Sequence, residues 1–594
     1  MTVREKVSAL RKLMKEHKVD AYFIPSADPH MSEYLPECWK HRAWLSGFTG
    51  SVGEVLIGRE KAGLWTDGRY FLQGSIELKD SGIELMRMGE PDTPSMEQWV
   101  ASQLEKGQCL GVDPSVINVA AARKFDAALA EHGIQVKYFT PNLVDELWTD
   151  RPDPVLAPMV NHPVKYAGET VESKLGKVRA AMKEAGATAH VVCGLDQVAW
   201  LLNVRSRDIA FTPVVTAYAV VTARGCTLYV DGRKVGKGIT KTLKGKAVIK
   251  EYDAVWADLK KLAGTAGACV WLDEGVTNRR VLDSLAGAAF HFAASPITAL
   301  KAVKNAKQIA GFAAAHQRDG VAMVKFLKWL EEAVPAGGVT ELSAADKLRA
   351  FRAEGEGFMD LSFNTISGYA ANGAIIHYSA SEESNAKLKP RGLYLIDSGG
   401  QYPDGTTDIT RTVPLGKPTK RQITCFTRVL MGTIDCTIIP FPAGTTGQRQ
   451  EMFARRALWA IGEDYAHGTG HGVGQYLGVH EGPHSLKNLV TPPLVEGNIM
   501  SIEPGHYEAG KFGIRIENLA FVVKDEKHST ADRLWYTFWP VTLCPIDTRL
   551  VDKSLMTKDQ VAWLNSYHKR VYKELAPSLD AAHKKWLREK TKAI

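Results

Sequence analysis

The 594-residue chain lacks most of the features that would place it outside the ordinary globular class. No run approaches the roughly 18 apolar residues of a membrane-spanning helix. The opening segment, MTVREKVSALRKLMKEHK, is charged and amphipathic and has no apolar core of the kind a secretory leader needs. Cysteine is sparse: the eight positions (Cys38, Cys109, Cys193, Cys226, Cys269, Cys425, Cys436 and Cys544) are scattered, and no pair has the CxxC spacing of zinc or redox sites. They read as reduced, mostly buried thiols of a cytoplasmic protein. A strong charge of one sign is also missing. The net charge of +8 is small for this length, and the cluster Lys584, Lys585, Arg588, Lys590 and Lys592 reads as a solvated helix face. No basic-aromatic module accompanies it, so neither a nucleic acid nor a membrane is expected as partner.

What is present is an average folded composition, 45% hydrophobic and 24% charged, in a chain too long for one core. An internal repeat divides it. VREKVSALRKLMKEHKVDAYFI from residue 3 aligns with VESKLGKVRAAMKEAGATAHVV from residue 171, matching Arg11 with Arg179 and Met14-Lys15-Glu16 with Met182-Lys183-Glu184. AWLSGF from Ala43 parallels AWLLNV from Ala199, and WTDGRY from Trp65 parallels YVDGRK from Tyr229. Each copy reads as a helix leading into a strand, so the first 300 residues are expected to be a duplicated α/β unit rather than a solenoid. The Asp-Gly-Arg of each copy reads as a turn after a strand. Expected domains are 1–160, 161–300 (a repeat of the first) and 301–594, the last ending in a helical extension.

In the third domain, Asn305 to Gln308 is a capping box for a long helix ended by Pro335 and Gly337-Gly338, with His316 as a core residue, and Thr340 starts a second helix. Thr557 to Gln560 caps a late helix that Pro577 stops. Between them, LIDSGGQYPDGTTDITRTV (395–413) reads as a β-hairpin whose two strands carry Asp397 and Asp408. Asp404 belongs to the turn Pro403-Asp404-Gly405. HGTGHGVG places His467 and His471 four apart, but the interleaved glycines, each costing about 1 kcal/mol in a helix, veto a helix there. LGVHEGPH adds His480 and His484, NIMSIEPG puts Glu503 after an apolar strand, and GIRIEN puts Glu517 in a strand beside Arg515. Upstream, NGAIIHYS places His377 after two isoleucines. Taken singly, each has an ordinary reading as a strand-end cap or a solvated side chain. Together, four carboxylates and a neutral imidazole carry four negative charges, and carboxylates at apolar strand ends need compensation. Two divalent cations supply it. An oxygen-rich set without cysteine favours manganese over cobalt or iron, with zinc less suited. Bridging carboxylates would allow a two-metal centre whose shared hydroxide attacks a carbonyl, so hydrolysis of an amide is expected.

The order Asp, Asp, His, Glu, Glu, with eleven residues from the first aspartate to the second, resembles the dinuclear metallopeptidases of the pita-bread fold. The segments SEYLPECWKHRAWLSGFTGSVG, LDQVAWLLNVRSRDI, LIDSGGQYPDGTTDITRT, HGTGHGVGQYLGVHEGP and GIRIENL are similar to the cytosolic aminopeptidase P family over nearly the whole chain. The resemblance implies two similar N-terminal α/β domains followed by a C-terminal pita-bread catalytic domain. It implies two divalent ions, Mn2+ foremost, with Asp397 chelating one, Asp408 and Glu517 bridging both, and His471 and Glu503 binding the other. Glu503 would also handle the proton of the hydroxide, and His377, His467 and His480 would flank the substrate. Arg515 would hold a ligand carboxylate in place. The implied activity is release of the N-terminal residue from peptides with proline second, by a cytoplasmic homodimer. Two alternatives resemble the sequence less: a prolidase, which generally has a single N-terminal unit, and a non-catalytic pita-bread module, which loses the ligand residues.

Overall fold

The computed structural model describes residues 1–594 and separates them into two compact units. The first comprises Met1–Pro163 and Glu169–Thr298. It contains two six-stranded mixed sheets of matching order. In the first, the spatial order is Glu84–Arg87, Ala62–Thr66, Glu54–Gly58, Ala21–Pro25, Cys109–Val112, Gln135–Tyr138. In the second it is Val248–Lys250, Cys226–Val230, Ala217–Thr222, Ala189–Val192, Cys269–Leu272, Ala289–Phe292. The helices Val3–Glu16 and Val171–Glu184 enter the two sheets at equivalent strands, as the repeat predicts. Strand Ala21–Pro25 shows why helices cover both faces of its sheet. Tyr22 and Ile24 pack with Val7, Leu10 and Met14 of the first helix, whereas Ala21 and Phe23 pack on the other side with Trp99, Phe125 and Leu129. Full burial of such side chains stabilises by about 1.5–3 kcal/mol each. Both Asp-Gly-Arg segments are turns closed by their own ion pairs, Asp67 with Arg69 and Asp231 with Arg233.

The second unit comprises Val164–Gly168 and Ala299–Ile594. Its centre is a three-stranded antiparallel sheet, Ile366–Tyr369, Leu393–Ser398 and Ile409–Pro414, together with a six-stranded sheet. The latter runs Phe441–Pro442, Trp535–Pro540, Asn518–Lys524, Ile499–Ile502, Gly470–Gly472, Glu481–Leu486. The helices Ala306–Ala336, Glu341–Ala353, Lys420–Ile438 and Gly447–Trp459 belong to the same unit. The capping boxes at Asn305, Thr340 and Thr557 all form. Pro335 does not stop its helix, which runs to Ala336: the position is one residue from the end, and a break there costs little. His316 is buried in that helix and bonds the carbonyl of Phe312. The late helix Lys558–Leu575 buries Leu564, Tyr567, Val571 and Leu575 against Phe426 and Leu430, so the terminal extension is part of this unit's core.

Candidate metal centre

The hairpin forms, but its aspartates differ in placement. Asp397 lies within Leu393–Ser398, paired with Ile366 on one side and Thr410 on the other. Asp408 sits just before Ile409–Pro414, not inside the strand. The chain is turned there by Thr407, whose hydroxyl accepts the Gly400 N–H at 2.8 Å and whose carbonyl accepts the Ser362 hydroxyl at 2.8 Å. Because Ser398 registers with Ile409, both carboxylates reach the same end of the hairpin. Glu517 likewise lies in the break between Phe512–Arg515 and Asn518–Lys524 instead of within one strand. Its N–H donates to the Thr410 carbonyl at 3.1 Å, and the Thr410 hydroxyl donates to Glu517 Oε2 at 2.9 Å. These breaks leave carboxylates at strand ends, free of ladder geometry.

His471 is on the short strand Gly470–Gly472, and Glu503 follows Ile499–Ile502 with its N–H bonded to the Thr469 carbonyl at 2.7 Å. The glycines here answer to closeness. A Cβ on Gly470 would stand 1.9 Å from the Ser501 carbonyl oxygen, and one on Gly472 2.3 Å from that of Glu481. Only hydrogen at these positions lets the three strands approach.

Asp408, His471 and Glu517 each present a ligand atom within 4.8 Å of the others. His471 Nδ1 donates to the Gly472 carbonyl at 2.9 Å, which turns Nε2 toward Asp408 Oδ2 (3.4 Å) and Glu503 Oε1 (3.3 Å). Ser501 donates to the same Glu503 oxygen at 3.0 Å. Asp397 is tied to Arg515, Nη2 to Oδ2 at 2.6 Å. The His480 ring meets His471 edge to face, centroids 4.2 Å apart. His377 is half-buried on the turn after the 3-10 helix Ala370–Ala374, an element packed against Phe512–Arg515. His484 turns elsewhere, to the Pro493 carbonyl at 3.1 Å.

One participant carries no motif. Tyr507 accepts from Arg515 Nη1 at 2.7 Å and faces His467 Nε2 at 2.9 Å, while His467 Nδ1 lies 2.8 Å from the Gly468 carbonyl. Burial pushes the Tyr507 phenol up to about 12 and the His467 imidazolium down to about 4, so both are neutral at pH 7. The consistent assignment has Tyr507 donating to Nε2 and His467 donating from Nδ1. A serial bond thus links Asp397 to Arg515, Tyr507 and His467. Sequence reasoning had no signal for Tyr507 beyond a lone tyrosine in a strand.

The electrostatics describe a negative cluster short of cations. Burial, reinforced by Asp408 and Glu503 and opposed by Arg515, pushes Asp397 up to about 7. Burial, with Asp408 and Glu503 adding to it, holds Glu517 well above the usual carboxylate range. Burial opposes charge on His471, yet its bonds to Asp408 and Glu503 raise it well above an ordinary imidazole. Burial likewise opposes charge on Glu503, and the bond and charge of His471 bring it down to about 2. Asp397 Oδ1 and Glu517 Oε1 are buried with no protein hydrogen-bond partner. Unsatisfied buried carboxylate oxygens facing other carboxylates suit hard divalent cations, and Asp408, His471 and Glu517 are close enough together to hold one.

The chain is similar to known proteins over its whole length. The profile of "Metallopeptidase family M24" matches residues 310–524, that of its C-terminal region 534–594, and "Creatinase/Prolidase N-terminal domain" profiles match 6–147 and 150–308. Aminopeptidase P2 of Arabidopsis thaliana is 41% identical over 635 residues, covering 100% of this chain and 89% of that protein. The "Probable Xaa-Pro aminopeptidase P" of Aspergillus oryzae is 40% identical, covering 99% and 92%. Among solved structures, the X-prolyl aminopeptidase of Caenorhabditis elegans, described as a cytosolic enzyme with a di-nuclear active site, superimposes with a TM-score of 0.97 at 36% identity over 100% of both chains. The Xaa-Pro dipeptidase of Bacillus anthracis, 21% identical, shares the fold over 64% of this chain and 99% of its own, with a TM-score of 0.52.

Proposed function

The chain belongs to the aminopeptidase P family of M24 metallopeptidases, with duplicated N-terminal α/β domains before a pita-bread domain, and from that membership we propose its reaction. It releases the N-terminal residue from peptides with proline in the second position. The observation that carries the reading is the convergence of Asp408, His471 and Glu517 within 4.8 Å, beside carboxylate oxygens that have no protein partner.

The proposed ligands of two divalent ions are Asp397, Asp408, His471, Glu503 and Glu517, and the donor set suits Mn2+ best. Bound there, two such ions would lower the pKa of water and so supply a hydroxide-like nucleophile near neutral pH. The chain's own residues do the rest. Glu503, 3.3 Å from His471, takes a proton from the attacking water and passes it to the prolyl nitrogen as the Xaa–Pro bond breaks, and His480, edge to face with His471, donates to the oxyanion that develops at the scissile carbonyl. His377 and His467 hold the substrate; His467 does so by exchanging its Tyr507 partner for the peptide. Arg515 keeps Asp397 oriented through its 2.6 Å bond.

Proline after the cut removes the N–H that strand-binding peptidases use and fixes φ, so a site that needs no donor there gains selectivity. Domain limits at 160 and 300, a homodimeric assembly and a cytoplasmic location complete the proposal; the Caenorhabditis elegans relative is described as cytosolic. An assay of Xaa-Pro-Xaa tripeptides beside Xaa-Pro dipeptides tests it. Cleavage of tripeptides at the first bond is expected, and cleavage of dipeptides alone would make the chain a prolidase.

A further inference from the structure

Glu481 follows His480 directly, and its surroundings are not those of an ordinary surface glutamate. Its side chain is 4% exposed and lies between the ammonium groups of Lys301 and Lys304, themselves 2% and 1% exposed. Lys301 Nζ is 3.0 Å from Oε2, and Lys304 Nζ bonds Oε1. Lys304 Nζ also donates to the Lys301 carbonyl at 2.9 Å, so the two lysines are fastened to each other as well as to Glu481. The backbone around them is pinned too: the Lys304 N–H donates to the Gly497 carbonyl at 2.9 Å, and Asn498 Nδ2 to the Ala302 carbonyl at 3.1 Å.

Burial of an ion pair is by itself weak evidence for a gain in stability. Its place in the fold suggests another use. His480 lies in the bend that leads into the strand Glu481–Leu486 and meets the His471 ring edge to face, while the carboxylate of the next residue is held by the lysines. The Glu481 backbone registers with Gly472, the neighbour of His471, at the point where the ladder shifts register. The carboxylate therefore anchors the first residue of the strand that follows the bend presenting His480.

We propose that Glu481, held by Lys301 and Lys304, is a positioning residue for His480 in the aminopeptidase reaction. The inference rests on the role given to His480 above. With two cations gripping separate oxygens, the carboxylate cannot rotate about its bond to one of them, and the segment cannot tilt. Loss of that grip leaves His480 present but misaligned with the developing charge, and small misalignments cost turnover more than binding.

The test is a double-mutant cycle on the full-length, metal-loaded enzyme, with kcat, KM, metal content and Tm measured on an Xaa-Pro-Xaa tripeptide for Glu481→Gln, His480→Ala and the double variant. Glu481→Gln is expected to lower kcat by about 10- to 100-fold with KM and metal content nearly unchanged, and to lower it no further once His480 is alanine. Losses that multiply in the double variant, or a fall in Tm with kcat unchanged, would overturn the proposal. If Glu481→Gln does not fold, Lys301→Met, which keeps the Lys304 bond, goes through the same cycle with a smaller expected loss and the same two contrary outcomes. Full turnover in His480→Ala alone would instead remove the role assigned to His480, and this inference with it.

Discussion

Arg515 and Asp397 meet inside the protein, Nη2 to Oδ2 at 2.6 Å, with 2% and 9% of their side chains exposed. The bond occupies one oxygen of the carboxylate and leaves Oδ1 with no protein partner. The arginine uses its planar fork in two directions, toward Asp397 and toward Tyr507, which a lysine's single ammonium cannot reproduce. Arg515→Lys should therefore weaken metal binding by about 10- to 100-fold, read by metal titration of the stripped protein. Unchanged affinity would show that Asp397 needs no such support.

Metal loading should depend on pH, with a definite sign. In the metal-free protein, burial and neighbouring charge hold Asp397 near 7 and Glu517 higher than an ordinary carboxylate. An acid whose folded pKa is raised contributes stability below the unfolded pKa of about 4, and that contribution is lost as pH rises through the folded value. Metal binding needs both groups deprotonated, so it must release protons. Apparent affinity should rise between about pH 5 and 8, and the gain in Tm on adding Mn2+ should widen over the same range. A pH-independent gain would contradict the assignment of these two carboxylates.

His480→Ala keeps every proposed metal ligand and removes one ring from the His471 face. Turnover should fall by about 100- to 1,000-fold, the usual effect of losing one oxyanion donor, with metal content unchanged by elemental analysis. Equal rates for variant and parent would take His480 out of the site.

Gly472→Ala would place a methyl 2.3 Å from the Glu481 carbonyl oxygen, against backbone that cannot step aside. The strands carrying His471 and Glu481 would have to separate. We expect destabilisation of about 1–3 kcal/mol by denaturant melts, together with weaker metal binding. A variant of parental stability would mean that the strands yield more easily than their packing implies.

Several of these relationships were legible in the residues alone. The repeat at residues 3 and 171 read as two copies of one α/β unit, and the structure adds that their two sheets share one strand order. The glycines around His471 ruled out a helix, and the chain there is a short strand. Asp408 and Glu517 were expected within strands, and each instead sits at a break, because alternation cannot reveal where a ladder ends. Tyr507 and the lysines around Glu481 gave no local signal. Their partners lie far along the chain, as Lys304 and Glu481 do at 177 residues of separation, and only the fold brings them together.

The most direct test of the two-metal account is elemental analysis of parent and Asp408→Asn, with turnover and far-UV circular dichroism on the same samples. The account predicts two divalent ions per parent chain, and in the variant lost metal and lost turnover with secondary structure kept. A variant that keeps both its metal and its rate would contradict it.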